Sequence, residues 1–138
     1  MPTVEIYHIN FHTHLRRPIF LDDALAIWLD ACLVDIMTRH RIVTLAHTVM
    51  PTHVHVVVVT FPDQPRDRVV QLLKGAAARA FNRQNPEIAA DIGGHLWQDG
   101  YDWVLIETHR QVQATLAYVE ANRPRIGLPP LADNRSPE

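Results

Sequence analysis

The spacing of apolar positions changes several times along the chain, and each change marks an element. Residues 4–11 alternate imperfectly and are rich in β-formers, which predicts a first strand. Arg16-Arg17-Pro18 then reads as a loop. Asp22 or Asp23 can cap a helix that runs to Arg39, because Leu25, Trp28, Leu29, Cys32, Leu33, Ile36 and Met37 recur at helical spacing. Residues 42–49 predict a second strand and residues 53–61 a third. Only Met50-Pro51-Thr52 separates them, and so short a connection implies an antiparallel hairpin. A second helix spans residues 66–82, with Val69, Leu73, Ala76 and Ala80 as its apolar stripe. Gly75 inside it costs roughly 1 kcal/mol relative to alanine, which suggests close packing or a nearby ligand. Residues 85–94 read as a loop. Asp99-Gly100 turns into a fourth strand at residues 101–106. Thr108 with Gln111 forms a capping box for a third helix, which should run to Asn122 and be ended by Pro124.

The order β-α-β-β-α-β-α predicts an α+β, ferredoxin-like (RRM-like) sandwich. Its four-stranded antiparallel sheet carries helices on one face and adds a C-terminal helix. The other sheet face is left for chemistry. One domain is expected over residues 1–128, with a loose, polar, Pro-rich tail over residues 129–138. Composition narrows the class further. At 138 residues and 47% hydrophobic the chain can bury one real core. Its single cysteine, Cys32, excludes a disulfide framework and a Cys-rich zinc site. Neither a signal peptide nor a membrane-length apolar run is visible, so a cytoplasmic protein without membrane contact is expected. The net charge of −2 argues against a uniformly nucleic-acid-binding surface. Basic residues nonetheless gather between Asp63 and Arg83, and Arg16-Arg17 add a second basic pair.

Candidate chemistry centres on His53-Val54-His55. On a strand, residues two apart share a face, so both imidazoles project together while Val54, Val56 and Val58 point the other way. Two such imidazoles can hold a divalent metal. On the third helix, Tyr118 and Asn122 stand at i, i+4 and share a side, beside a docking stripe of Val112, Leu116 and Val119. That tyrosine could face the metal and Asn122 could supply an oxygen ligand. Each feature also has an ordinary reading. A His-x-His on a strand is commonly packing or surface, and an amphipathic tyrosine is commonly core edge. Tyr7, Tyr101 and Trp97 read as packed, and His95 could stack on a base. A second His-x-His, His12-Thr13-His14, reads as a loop pair at the end of the first strand, able to touch DNA. Candidates for phosphate contacts are Arg16, Arg17, Arg68, Lys74 and Arg79, against the ordinary reading of a solvated surface.

Four segments, in order, resemble the HUH-type single-tyrosine transposases, in the insertion-sequence-200-like group and closest to the REP-associated tyrosine transposases. Met50-Pro51-Thr52-His53-Val54-His55 resembles a Met-Pro-Asn-His-Val-His pattern. Leu73-Lys74-Gly75 is similar to the Lys-Gly of the following helix. Trp97-Gln98-Asp99-Gly100-Tyr101-Asp102 resembles a Trp-Gln…Tyr-Asp segment before the last strand. The run from Tyr118 to Leu128 resembles Tyr-Ile-x-x-Asn-Pro-Val-Arg-Ala-Gly-Leu. Thr52 stands where the pattern has Asn, and Arg123-Pro124 departs from its Asn-Pro order.

The resemblance implies His53 and His55 as ligands of Mg²⁺ or Mn²⁺, Tyr118 as nucleophile and Asn122 as metal ligand or polar positioner. It implies cleavage and rejoining of single-stranded DNA at hairpin or repeat ends through a 5′-phosphotyrosine intermediate. A phosphotyrosine keeps a phosphodiester, so a second 3′-hydroxyl can rejoin strands without ATP. A homodimer exchanging the tyrosine helix and a monomer are both compatible with it. The rival readings are a catalytically silent or domesticated nucleic-acid-binding domain of the same fold, and a metallohydrolase using water.

Overall fold

In the computed structural model, which describes residues 3–131, the strands are β1 (Glu5–His12), β2 (Val43–Val49), β3 (His53–Thr60) and β4 (Asp102–Ile106). The helices are α1 (Asp23–Arg39), α2 (Arg66–Gln84), α3 (Pro86–Asp91) and α4 (His109–Arg125). The strands form one sheet in the order β2-β3-β1-β4 with every neighbouring pair antiparallel, as expected for the ferredoxin-like arrangement. Among the described residues, no helix is long and apolar enough to cross a membrane.

Alternation on the central strands divides the molecule into two layers. Tyr7, Ile9 and Phe11 of β1 and Val54, Val56 and Val58 of β3 are buried in the main core. They meet Ala26, Leu29, Leu33 and Ile36 of α1 and Val69, Leu73, Ala77 and Phe81 of α2. Each fully buried Val, Leu, Ile or Phe contributes roughly 1.5–3 kcal/mol, so this layer dominates stability. Asp22 caps α1 as the sequence suggested, its Oδ1 accepting from the Leu25 amide at 3.0 Å. On the other sheet face a smaller cluster of Val57, Ile106 and Val119, flanked by Ile6, Ala46, Val112 and Leu116, docks α4. The Thr108–Gln111 capping box starts that helix. Helix α4 therefore covers part of the face that α1 and α2 leave free.

The structure departs from the sequence reading in two elements. Residues 85–94 include the short helix α3, started by Pro86, whose fixed φ and missing N–H suit a first helical position. Pro124 does not end the last helix but lies inside it. In the final turn a proline forfeits one backbone hydrogen bond, and α4 stops just beyond, where Gly127 adopts φ +81°. The amides of Gly127 and Leu128 then close onto the carbonyls of Pro124 and Arg123. At the start of the expected tail, the Pro129 carbonyl accepts from Arg123 Nε and Leu131 packs against the main core. The remainder of that tail, residues 132–138, lies outside the described residues.

Candidate active site

The alternation that buries Val54, Val56 and Val58 turns His53 and His55 to the α4 face. The β1–β3 register sets His12 opposite His53, Asn10 opposite His55 and His8 opposite Val57. Since Tyr7, Ile9 and Phe11 face the main core, His8, Asn10 and His12 all face the histidine pair. The site thus has four imidazoles and an amide on two adjacent strands. His12 is not a loop residue: it ends β1, and its ring centroid lies 5.3 Å from that of His53. Its companion His14 leaves the site and packs its ring 5.3 Å from that of His95. His8 and Asn10 were not picked out from the sequence, although their alternation with Tyr7, Ile9 and Phe11 was the signal that could have found them.

The imidazoles form a connected line. His53 Nε2 lies 3.1 Å from His55 Nε2, and His55 Nδ1 lies 2.9 Å from His8 Nε2. His53 Nδ1 meets Thr52 Oγ1 at 3.0 Å, so the threonine at the departure from the motif still partners the histidine. His12 Nε2 is 3.5 Å from Asp102 Oδ2. Burial disfavours the charged forms of His53, His55 and His8. It lowers His55 to about 3, helped by the repulsion that a charged His55 would meet from the neighbouring imidazoles of His53, His8 and His12. It lowers His53 to about 4, helped by His12 and Arg16. Burial also lowers His8.

Helix α4 brings Tyr118 to the same place. Its ring centroid lies 5.9 Å from that of His55 and 6.1 Å from that of His8. The tyrosine is 44% exposed, so a substrate can reach it. The Arg125 guanidinium stands 4.9 Å over the tyrosine ring. One turn on, Asn122 is buried and its Nδ2 has no hydrogen-bond partner. Val119, between them in sequence, is the docking residue, as the spacing predicted.

These donors suit a divalent cation. Two donors at right angles on a metal at about 2.1 Å stand about 3.0 Å apart, close to the observed Nε2 separation. Neutral imidazoles have lone pairs to offer. Among the described residues no three His, Cys, Asp or Glu side chains gather as a cation site. Asn10 Oδ1 and Asn122 Nδ2 are both buried without a partner, and a half-turn of an amide exchanges its oxygen and nitrogen.

The basic candidates divide into two groups. Arg16 is near enough to lower the pKa of His53, and Arg17 Nη1 donates to the Asp91 carbonyl at 3.3 Å. Both are exposed beside the end of β1. Arg68 and Arg79 are exposed on α2, so the sheet separates them from the histidines. Lys74 Nζ donates to the carbonyls of Gln98 and Gly100 at 2.8 and 2.7 Å. Trp97 is buried against Phe11 and Phe20, in line with the packed reading.

Comparison with known proteins identifies relatives of the chain. A family model described as "Transposase IS200 like" matches residues 4–122. The ISDra2 transposase TnpA of Deinococcus radiodurans is 28% identical over 116 residues, covering 83% of this chain and 81% of that protein. The crystal structure of a transposase from Deinococcus radiodurans R1 superposes with a TM-score of 0.68 at 30% identity, over 86% of this chain and 90% of the other. A REP-associated tyrosine transposase bound to a REP hairpin shares the fold, with a TM-score of 0.67 at 15% identity over 89% of this chain and 68% of that one.

Proposed function

The chain belongs to the IS200-like transposase family, and we propose that it cleaves and rejoins single-stranded DNA with Tyr118 as the nucleophile. The observation that carries this reading is the tyrosine ring 5.9 Å from His55, beside two Nε2 atoms 3.1 Å apart. In this reading His53, His55 and the Asn122 amide hold Mg²⁺ or Mn²⁺. A cation held there would neutralise charge on a non-bridging phosphate oxygen. Tyr118 Oη gives up its proton and bonds to phosphorus. The bond from phosphorus to the 3′ oxygen breaks, and the departing oxygen takes a proton. The result is a 5′-phosphotyrosine and a free 3′-hydroxyl. A second 3′-hydroxyl attacking that phosphorus releases Tyr118 and restores a phosphodiester.

Exposed Arg16 and Arg17 flank the site and suit the incoming strand. The hairpin held by the REP-associated neighbour supports strands with hairpin or repeat ends as substrate. Tyr118 and His55 share one chain, so a monomer can hold a complete site. A homodimer exchanging α4 would build the same site from two chains.

Incubation with labelled hairpin-bearing single strands and Mn²⁺, followed by denaturing electrophoresis, tests the reading. A covalent protein–DNA adduct is expected, lost in Tyr118→Phe and in His53→Ala. Cleavage without an adduct would point to a hydrolase. Binding without cleavage would point to a catalytically silent domain.

A further inference from the structure

The ring of His8 touches two parts of the site at once. Its Nε2 lies 2.9 Å from His55 Nδ1, and its centroid lies 6.1 Å from that of Tyr118. A neutral imidazole carries one N–H, and the position of that hydrogen decides what the other nitrogen can do. If His55 is protonated at Nε2, that N–H points toward His53 Nε2 and no lone pair is left for a cation. If it is protonated at Nδ1, Nε2 is a donor to metal, but the Nδ1–H then needs an acceptor. His8 Nε2 stands where that acceptor must be. On the far side of the pair, Thr52 Oγ1 takes the same place for His53 Nδ1.

We propose that His8 is a positioning residue, accepting a hydrogen bond from His55 Nδ1 and so presenting the His55 Nε2 lone pair alongside that of His53. The inference rests on the cation site proposed above and assigns it an outer partner. Outer partners of ligating histidines are worth on the order of 10–100-fold in metal affinity. The ring of His8 also packs beside Tyr118, so the residue that orients the ligand borders the nucleophile.

The test is a Mn²⁺ titration at neutral pH, read from the loss of the free-ion electron paramagnetic resonance signal, with thermal unfolding of each variant as a check on folding. His8→Ala removes the acceptor, and Mn²⁺ affinity should fall roughly 10–100-fold. His8→Gln places an amide oxygen near the position of Nε2 and should recover most of that loss. Nitrogen-15 shifts should report His55 protonated at Nδ1 in the wild type and in His8→Gln. Unchanged affinity in folded His8→Ala would overturn the inference while leaving the cation site standing. So would a loss that His8→Gln fails to recover, because a packing role alone predicts no rescue by an acceptor. A wild-type protein that takes up no Mn²⁺ would remove the cation site and this inference together.

Discussion

Replacing Lys74 with methionine separates two roles for one ammonium group. Its basic character on α2 suggests a phosphate contact, yet Nζ donates to the carbonyls of Gln98 and Gly100 at 2.8 and 2.7 Å. Its own carbonyl accepts from Trp97 Nε1 at 3.1 Å. Lys74 therefore ties α2 to the segment leading into β4 from both ends. That segment reaches the site, because the Gln98 amide donates to the His12 carbonyl at 2.9 Å. Hydrogen bonds to a charged group contribute about 1.5–3 kcal/mol each when buried. Lys74 is only half-buried, so water can replace part of what is lost, and burial lowers its pKa against the nearby Asp99 charge. Methionine keeps most of the apolar stem, which leaves a net loss of about 1–3 kcal/mol. Urea denaturation should show this as a lower midpoint at an unchanged m-value. Binding of a single strand should then be measured across a range of salt. Losing a phosphate contact would reduce the magnitude of the slope of log K against log salt by about 0.7. The latch predicts reduced stability and an unchanged slope. A stability change under about 0.5 kcal/mol together with a shallower slope would refute the reasoning.

Two further outcomes follow from the same geometry. Arg123 is buried, with Nη1 donating to the Val49 carbonyl at 2.7 Å and Nε to the Pro129 carbonyl at 2.8 Å, so Arg123→Met should cost about 2–4 kcal/mol in urea denaturation by leaving both carbonyls without this donor. A loss below about 1 kcal/mol would show that water replaces the guanidinium there. Acid should destabilise the protein through its histidines, because burial lowers His53 to about 4 and His55 to about 3 while an unfolded histidine titrates near 6.5. The unfolded chain then binds protons that the folded state refuses. Stability should be flat above pH 6.5 and fall as pH drops toward 4, by up to about 1.4 kcal/mol per pH unit for each histidine. Urea midpoints at descending pH should show that fall, and it should be shallower in His55→Gln.

What was legible in the sequence was whatever local pattern determines. Helix α1 could be bounded because Asp22 caps it and its apolar spacing runs unbroken to Arg39. Helix α4 could be started at Thr108 because both halves of its capping box lie within four residues. Its end was misjudged because proline's effect depends on where in a helix it falls, and in the last turn it is small. His12 was read as a loop residue for a different cause. Its place in the site depends on pairing with His53, forty-one positions away, and register is a long-range property. The carbonyl partners of Lys74 were hidden in the same way, being 24 and 26 residues distant. His8 and Asn10 needed no tertiary information, only the alternation of β1 followed through to its polar half.

That alternation links site and core more tightly than either motif suggests. Shifting β3 by one residue against its neighbours would turn Val54, Val56 and Val58 out of the main core and the histidines into it. All three valines have no exposed surface. At roughly 1.5–3 kcal/mol each, exposing them would remove about as much free energy as a whole domain of this size has to spare. The register that pairs His12 with His53 and Asn10 with His55 is therefore enforced from the opposite side of the sheet, by residues that take no part in the chemistry. Helix α4 repeats the arrangement, with Val119 buried against the sheet while the Tyr118 ring next to it lies 5.9 Å from that of His55. Exposed Tyr118 can accordingly be changed to phenylalanine at little cost in stability, whereas Val119→Asp should displace Tyr118 from the histidines.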